Sequence, residues 1–220
     1  MQLLELTLAD AAGNLALDAE LLDRAEAAGA PTETLRLWEP PSPMVVIGRS
    51  SDIEREVHLA ECQERGIPVL RRPSGGAAIV TGPGCLMYAL VLSYRERPHL
   101  RAIDRAHRFV LGRICSALAP LAESLGAGTI AQAGTSDLVL DGKKFSGNSM
   151  RCRREHVLYH GTLLYAFDLD LIESCLHMPP RQPDYRAGRP HRAFVANLPI
   201  PVADLRRALI EAWAGERHGA

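Results

Sequence analysis

Apolar and polar residues alternate from Gln2 to Leu8, the two-residue period of a short strand. From Asn14 the period lengthens, with Leu15, Leu17, Leu21 and Leu22 at helical spacing until Gly29 stops the run. Leu35 to Trp38 and Met44 to Ile47 are β-rich. The Pro40, Pro41, Ser42, Pro43 cluster between them continues neither a helix nor a central strand, so a loop joining two strands is expected. Ile53 to Arg65 is charged and helix-compatible and closes at Gly66, after which Pro68 to Arg72 leads into a dense glycine cluster. Ala77 to Val80 and Leu86 to Ser93 read as a hairpin around Thr81-Gly82-Pro83-Gly84. Asp104 to Leu125 carries the longest helical pattern, which predicts a helix packed across a sheet. Leu138 to Leu140, Asp141-Gly142 and Lys143 to Phe145 form a second hairpin signal, because Asp-Gly suits a type I′ turn. Val157 to Phe167 reads as a strand and Val202 to Ala214 as a closing helix. Met178 to Pro201, rich in Pro, Arg and His, reads as a long surface loop of the kind that serves as a mobile lid. Hairpins and helices are mixed rather than strictly alternating, which indicates an α+β fold.

Composition narrows the function classes. The 220 residues are expected to form one domain, and their 47% hydrophobic content is enough to bury a core. Lys and Arg number 25 against 26 Asp and Glu, a net charge of -1, so the chain lacks the excess positive charge of a non-specific nucleic-acid or membrane binder. Any anion must be held by a local cluster. The five cysteines are scattered without a C-x-x-C pair, which argues against a disulfide framework and a zinc site and fits a reducing cytoplasm. Neither a basic leader segment nor a membrane-spanning apolar run is present in the sequence, so a cytoplasmic protein is expected.

Three clusters carry chemistry. Arg71-Arg72-Pro73-Ser74-Gly75-Gly76-Ala77-Ala78 sets two guanidinium groups beside a loop whose small residues let backbone N–H groups approach a phosphate. It is neither a P-loop nor a dinucleotide fingerprint, and taken alone it reads equally well as a tight turn with solvated arginines. Lys143 and Lys144 follow the Asp-Gly turn and in a strand point to opposite faces, so one of them points inward. An inward lysine near Arg72 completes a site for a carboxylate and a phosphate together; a solvated pair is the plainer alternative. Tyr159-His160-Gly161 puts an imidazole at the start of an apolar strand, where a lone histidine is ordinarily a hydrogen-bonded structural residue.

Together and in this order, the motifs resemble the lipoate–protein ligase A family, of the biotin/lipoate protein ligase catalytic domain superfamily. The matching pieces are Asn14-Leu15-Ala16-Leu17, Leu35-Arg36-Leu37-Trp38, Val45-Val46-Ile47-Gly48-Arg49, Arg71-Arg72-x-Ser74-Gly75-Gly76, Asp137-Leu138-Val139, Gly142-Lys143-Lys144-Phe145-Ser146-Gly147 and His160-Gly161-Thr162-Leu163-Leu164. The resemblance implies a mixed, largely antiparallel sheet flanked by helices. It implies an enzyme that activates lipoate with ATP to lipoyl-AMP and passes the acyl group to a lysine of an acceptor protein. Lys144 would be the catalytic residue. Arg72, Gly75, Gly76, Ala77, Ala78, Asp137 and Lys144 would hold ATP and the adenylate, with Mg2+ riding on the substrate phosphates and no protein metal site. Leu15, Leu17, Trp38, Arg72, Ser74, Lys144 and His160 would bind lipoate. The acceptor would be a dehydrogenase lipoyl domain, a glycine-cleavage H protein or a more specialised carrier. The chain stops soon after Trp213, so residues 1–220 are expected to be a catalytic domain without a C-terminal accessory domain. It would then work either with a separately encoded small accessory ligase subunit or unaided.

Two rivals are an octanoyl or lipoyl acyltransferase that uses no ATP and a non-catalytic lipoate-binding subunit. Transferases of the superfamily carry the acyl group on a cysteine, yet Thr129 to Gly134 holds none and Tyr159 precedes His160-Gly161. Joint retention of Arg72, Asp137 and Lys144 speaks against loss of activity.

Overall fold

A computed structural model describes residues 1–214. In chain order its elements are β1 (Gln2–Glu5), α1 (Ala11–Ala28), β2 (Thr34–Trp38), β3 (Met44–Ile47), α2 (Ile53–Glu56), α3 (Leu59–Glu64), β4 (Val69–Arg71), β5 (Ile79–Thr81) and β6 (Cys85–Ser93). A 3-10 turn (Pro98–Arg101) leads to α4 (Ile103–Ser124), β7 (Ile130–Ala133), β8 (Asp137–Leu140), β9 (Lys143–Cys152), β10 (His156–Leu164) and α5 (Asp170–Cys175). A second 3-10 turn (Asp184–Arg186), α6 (His191–Phe194) and α7 (Val202–Ala214) complete it. Seven strands form one sheet in the order β1-β2-β6-β10-β9-β8-β7, parallel only between β1 and β2. The other three form a small sheet, β4-β3-β5. The fold is therefore α+β with a mixed, largely antiparallel sheet, as the resemblance implies.

Strand β6 organises the core because all nine of its residues are buried. Its even-numbered Leu86, Tyr88, Leu90 and Leu92 face α4 and α7, while Ala89 and Val91 pack against Leu22 and Ala25 of α1 on the other face. Val110, Leu111, Ile114 and Leu118 of α4 are fully buried on the first face, each stabilising by about 1.5–3 kcal/mol. The second face, toward α1 and the small sheet, is where the cavities open.

Helix α1 begins where Asp10 accepts hydrogen bonds from the N–H groups of Ala12 and Gly13, and ends at Gly29 with φ 65°. Its first turns are fixed by the fully buried Arg36 of β2, which donates to Asp18 Oδ1 at 2.6 Å and to the backbone and side-chain oxygens of Asn14. That clamp holds the neighbouring Leu15 against the large sheet.

Several expectations are corrected. The Thr81–Gly84 turn does not make a hairpin: β5 pairs with β3, whereas β6 is taken on both edges by β2 and β10. A strand buried on both faces and paired on both edges has no edge left for β5. The Ile53–Arg65 segment is two helices. Between them Val57 is extended and bridges to Leu176, which interrupts the helical ladder. Met178–Pro201 is a packed wall rather than a simple surface loop: Arg186, His191, Phe194 and Leu198 are buried, and the Arg186 guanidinium lies 4.5 Å from the Phe194 ring centroid. Strand β7, only four residues long and so too short to show a period, pairs with β8 as the far edge of the sheet.

Candidate functional site

The β8–β9 hairpin aims the central lysine. Asp141 and Gly142 have φ 47° and 76°, the left-handed pair a type I′ turn requires, and Asp141 accepts a hydrogen bond from the Thr129 N–H at 2.9 Å. Beyond the turn Lys144 stands opposite Val139 and Ser146 opposite Leu138, with an irregularity in register at Phe145. Phe145 is fully buried in the core, whereas Lys144 points the other way and Lys143 lies in solvent.

Lys144 sits at the junction of two cavities between the large and small sheets. They share the loop Ala77–Ile79 and Asp137, Lys144, Gly147 and Thr162. The first extends to Glu56, Ile172, Leu176, His177 and the 179–195 wall, including Arg181, Arg186 and Phe194. The second extends to Leu15, Val46 and Met87, with Arg72, Asn148 and His160 among its polar members. The first cavity thus combines an apolar side with several cationic groups, and the second is a somewhat smaller slot with apolar walls.

At the junction Lys144 Nζ lies 2.8 Å from Asp137 Oδ1, and Tyr185 OH donates to Asp137 Oδ2 at 2.7 Å. Gly147 allows the approach, since a Cβ there would stand 2.9 Å from Lys144 Nζ. Among the described residues no group of three or more His, Cys, Asp or Glu is gathered to hold a metal.

The glycine loop is shaped by Arg72. Its guanidinium donates to Gly75 O at 2.7 and 3.1 Å, to Ala77 O at 2.9 Å and to Val46 O at 3.0 Å. Burial pushes its pKa down to about 10, which leaves it a cation at neutral pH. Gly76, at φ 91°, lies so close to Gly48 that a Cβ on the latter would stand 2.0 Å from Gly76 O. Glu56 accepts the Ala78 N–H at 2.6 Å, and Ser51 Oγ donates to Gly76 O at 3.1 Å. Ser74 Oγ is 2.6 Å from His160 Nε2. Burial first, and the Arg72 charge second, lower the His160 pKa to about 3, so the ring is neutral and serves as a hydrogen-bonding wall.

The structure brings Leu15, Arg72, Gly76, Ala77, Ala78, Asp137, Lys144 and His160 to the cavities. Gly75 and Ser74 stand just behind, bonded to Arg72 and His160. Leu17 and Trp38 are not part of the lining. Leu17 is two residues from Leu15 and so lies on another side of α1. Trp38 is fully buried in the core beneath the small sheet, 5.0 Å from the Arg36 guanidinium. Sequence reasoning missed Glu56, Asn148 and Tyr185. Glu56 sits in a charged stretch without distinguishing pattern, and Tyr185 in an aperiodic one. Asn148 is tied by Nδ2 to Ser136 O at 2.8 Å and accepts from Tyr88 OH, contacts that need the bare backbone of Gly161 opposite.

Residues 10–214 match the family model of the lipoyl protein ligase A/B catalytic domain. The chain belongs to this family. As a lipoyl ligase A/B-type domain it is 26% identical over 168 residues to lipoate-protein ligase LplJ of Bacillus subtilis, with 76% of the chain and 48% of the relative covered. It is also 26% identical over 185 residues to octanoyltransferase LipM of Brevibacillus brevis, covering 76% and 66%. The chain thus spans less than two thirds of the length of these curated relatives. Its fold superposes with TM-score 0.77 and 23% identity on a bi-partite lipoate protein ligase from Thermoplasma acidophilum, a structure described together with its E2 lipoyl domain, covering 97% of this chain and 82% of that one. Ligases and transferases therefore both stand among the relatives. No helix among the described residues is long and apolar enough to cross a membrane.

Proposed function

We propose that this chain is an ATP-dependent lipoate–protein ligase domain, which activates lipoate as lipoyl-AMP and transfers the lipoyl group to a lysine of a lipoyl-domain type acceptor. The observation that carries this reading is Lys144, a cation at the junction of a slot with apolar walls and a larger cavity bearing cationic groups. The second cavity would take the acyl chain and its dithiolane, with Leu15, Val46 and Met87 as apolar walls. The first would take the nucleotide.

The carboxylate of lipoate would meet the α-phosphate beside Lys144. A bond forms between the carboxylate oxygen and the α-phosphorus as the α–β phosphoanhydride breaks, and pyrophosphate leaves with the electron pair. Lys144 would stabilise charge on the phosphate oxygens as it builds up, an effect strengthened by partial exclusion of water. In the second step the neutral acceptor amine attacks the acyl carbon and gives up a proton to solvent, the acyl–phosphate bond breaks, and AMP leaves with Lys144 still beside it.

ATP enters such sites as its magnesium complex. Asp137 and Glu56 are the carboxylates lining the first cavity, which suits a hard cation held mainly by phosphate oxygens and water. Both carboxylates are already engaged, Asp137 with Lys144 and Tyr185 and Glu56 with Ala78 and Ser51, so the cation would sit mainly on the substrate's phosphate oxygens.

Against a cysteine-carrying acyltransferase, neither cavity is lined by cysteine. Cys85 is fully buried and its thiol is pushed up to about 12 by burial, far from the thiolate such a nucleophile needs. Lipoate-dependent exchange of labelled pyrophosphate into ATP tests the proposal. Exchange is expected with lipoate and not without it, and no exchange under either condition would overturn the ligase reading.

A further inference from the structure

A third concavity adjoins the second cavity and shares Leu15 and Arg72 with it. Its floor is formed by Ala12, Ala16 and Ala19 along α1, small side chains that let another backbone come close. Its rim carries Arg49, Arg71 and Arg151, and no carboxylate lines it. Arg71 is held by donating to the carbonyls of Gly48, Arg49 and Ser51. The guanidinium groups of Arg49 and Arg151 make no hydrogen bond or ion pair among the described residues. In a chain of net charge -1, this is a local excess of cations beside the proposed acyl slot.

We propose that this groove docks an acidic face of the acceptor protein, so that its lysine is presented at the acyl slot. The inference rests on the ligase reading and adds the place and the charge of the partner. Charge complementarity selects an acidic surface. Nucleic acid fits less well: no aromatic side chain lines the groove to stack a base, and its four arginines, Arg72 included, are fewer than the roughly 6–10 phosphate contacts of a strong electrostatic binder. Rim charges of this kind act mainly on encounter rate and on salt dependence.

The test compares wild type with an Arg49→Glu/Arg151→Glu double variant. With ATP, lipoate and hydroxylamine, formation of the hydroxamate reports activation without a protein acceptor. With a lipoyl domain bearing acidic residues around its lysine, amide formation reports the docked reaction. Hydroxamate formation is expected to stay within about twofold, while the KM for the lipoyl domain rises at least about tenfold. The wild-type KM should also rise as salt goes from about 0.1 to about 1 M and the screening length falls to about 3 Å. An unchanged KM for the variant, or an equal fall in both reactions, would overturn the docking groove while leaving the ligase reading intact. Displacement of the lipoyl domain by a short single-stranded RNA that binds wild type and not the variant would also overturn it. Absence of hydroxamate in the wild type would instead overturn the ligase reading, and the groove with it.

Discussion

Lys144 Nζ and Asp137 Oδ1 are 2.8 Å apart, and the second oxygen of the same carboxylate is held by Tyr185 OH. The lysine is thereby held where the two cavities meet. The pair is only partly shielded, with side-chain exposures of 26% and 11%, so it contributes modestly to stability and exchanges readily for a phosphate or carboxylate partner.

Replacing Lys144 should therefore affect chemistry far more than folding. Lys144→Ala is expected to lower lipoate-dependent pyrophosphate release by about 10²–10³, the size of losing one transition-state donor. Its thermal midpoint should remain close to wild type. Lys144→Arg keeps the charge but changes its shape and reach, and should recover only part of the rate.

Two glycines on the same sheet should separate stability from activity. A Cβ at Gly161 would stand 1.8 Å from Asn148 Oδ1 and 2.9 Å from Tyr88 OH, in the middle of paired strands. Gly161→Ala is expected to cost about 1–3 kcal/mol by overpacking, read as a lower midpoint in denaturant. At Gly147 the nearest obstacle is the flexible end of Lys144. Gly147→Ala should leave the denaturant midpoint nearly unchanged and displace the lysine, lowering the rate of adenylate formation.

His160 links stability to pH. Its pKa falls to about 3 in the fold, against about 6.5 in an unfolded chain. Between these values the unfolded state binds the extra proton, so stability rises with pH, is full above about 6.5 and is lost as pH drops toward 3. A His160→Gln variant should show a shallower loss of thermal midpoint between about pH 7 and about pH 4. Equal slopes for the two proteins would contradict the neutral, buried imidazole.

Cysteine substitutions distinguish the two chemistries found among the relatives. Cys85→Ala and Cys152→Ala should each retain activity within about twofold, because neither thiol lines a cavity; Cys85 is buried and Cys152 lies on the surface. Loss of acyl transfer in either variant, with folding intact, would point to a covalent acyl-enzyme.

Features set by local chemistry were legible in the sequence. The Asp141-Gly142 turn, the α4 period and the 202–214 helix could be read because each is dictated by neighbours a few residues away. The Thr81–Gly84 turn misled, since local turn residues say nothing about which sheet edges are still free for β5. The inward lysine could be inferred from strand alternation, but the Tyr185 hydroxyl that holds its partner Asp137 comes from 48 positions beyond that aspartate, in a stretch without period. Trp38 shows the reverse limit. Its place in the motif run suggested the slot, and alternation along β2 does turn it to the side of the cavities, yet it is fully buried in the core there and lines neither of them.

Incubation of the purified chain with ATP, magnesium and lipoate, followed by mass spectrometry of both small molecules and intact protein, tests the central claim most directly. Lipoyl-AMP and pyrophosphate are expected, with no mass added to the protein. Absence of lipoyl-AMP, together with an acyl adduct on cysteine when an octanoyl-carrier donor replaces ATP and lipoate, would contradict the ligase and establish the transferase.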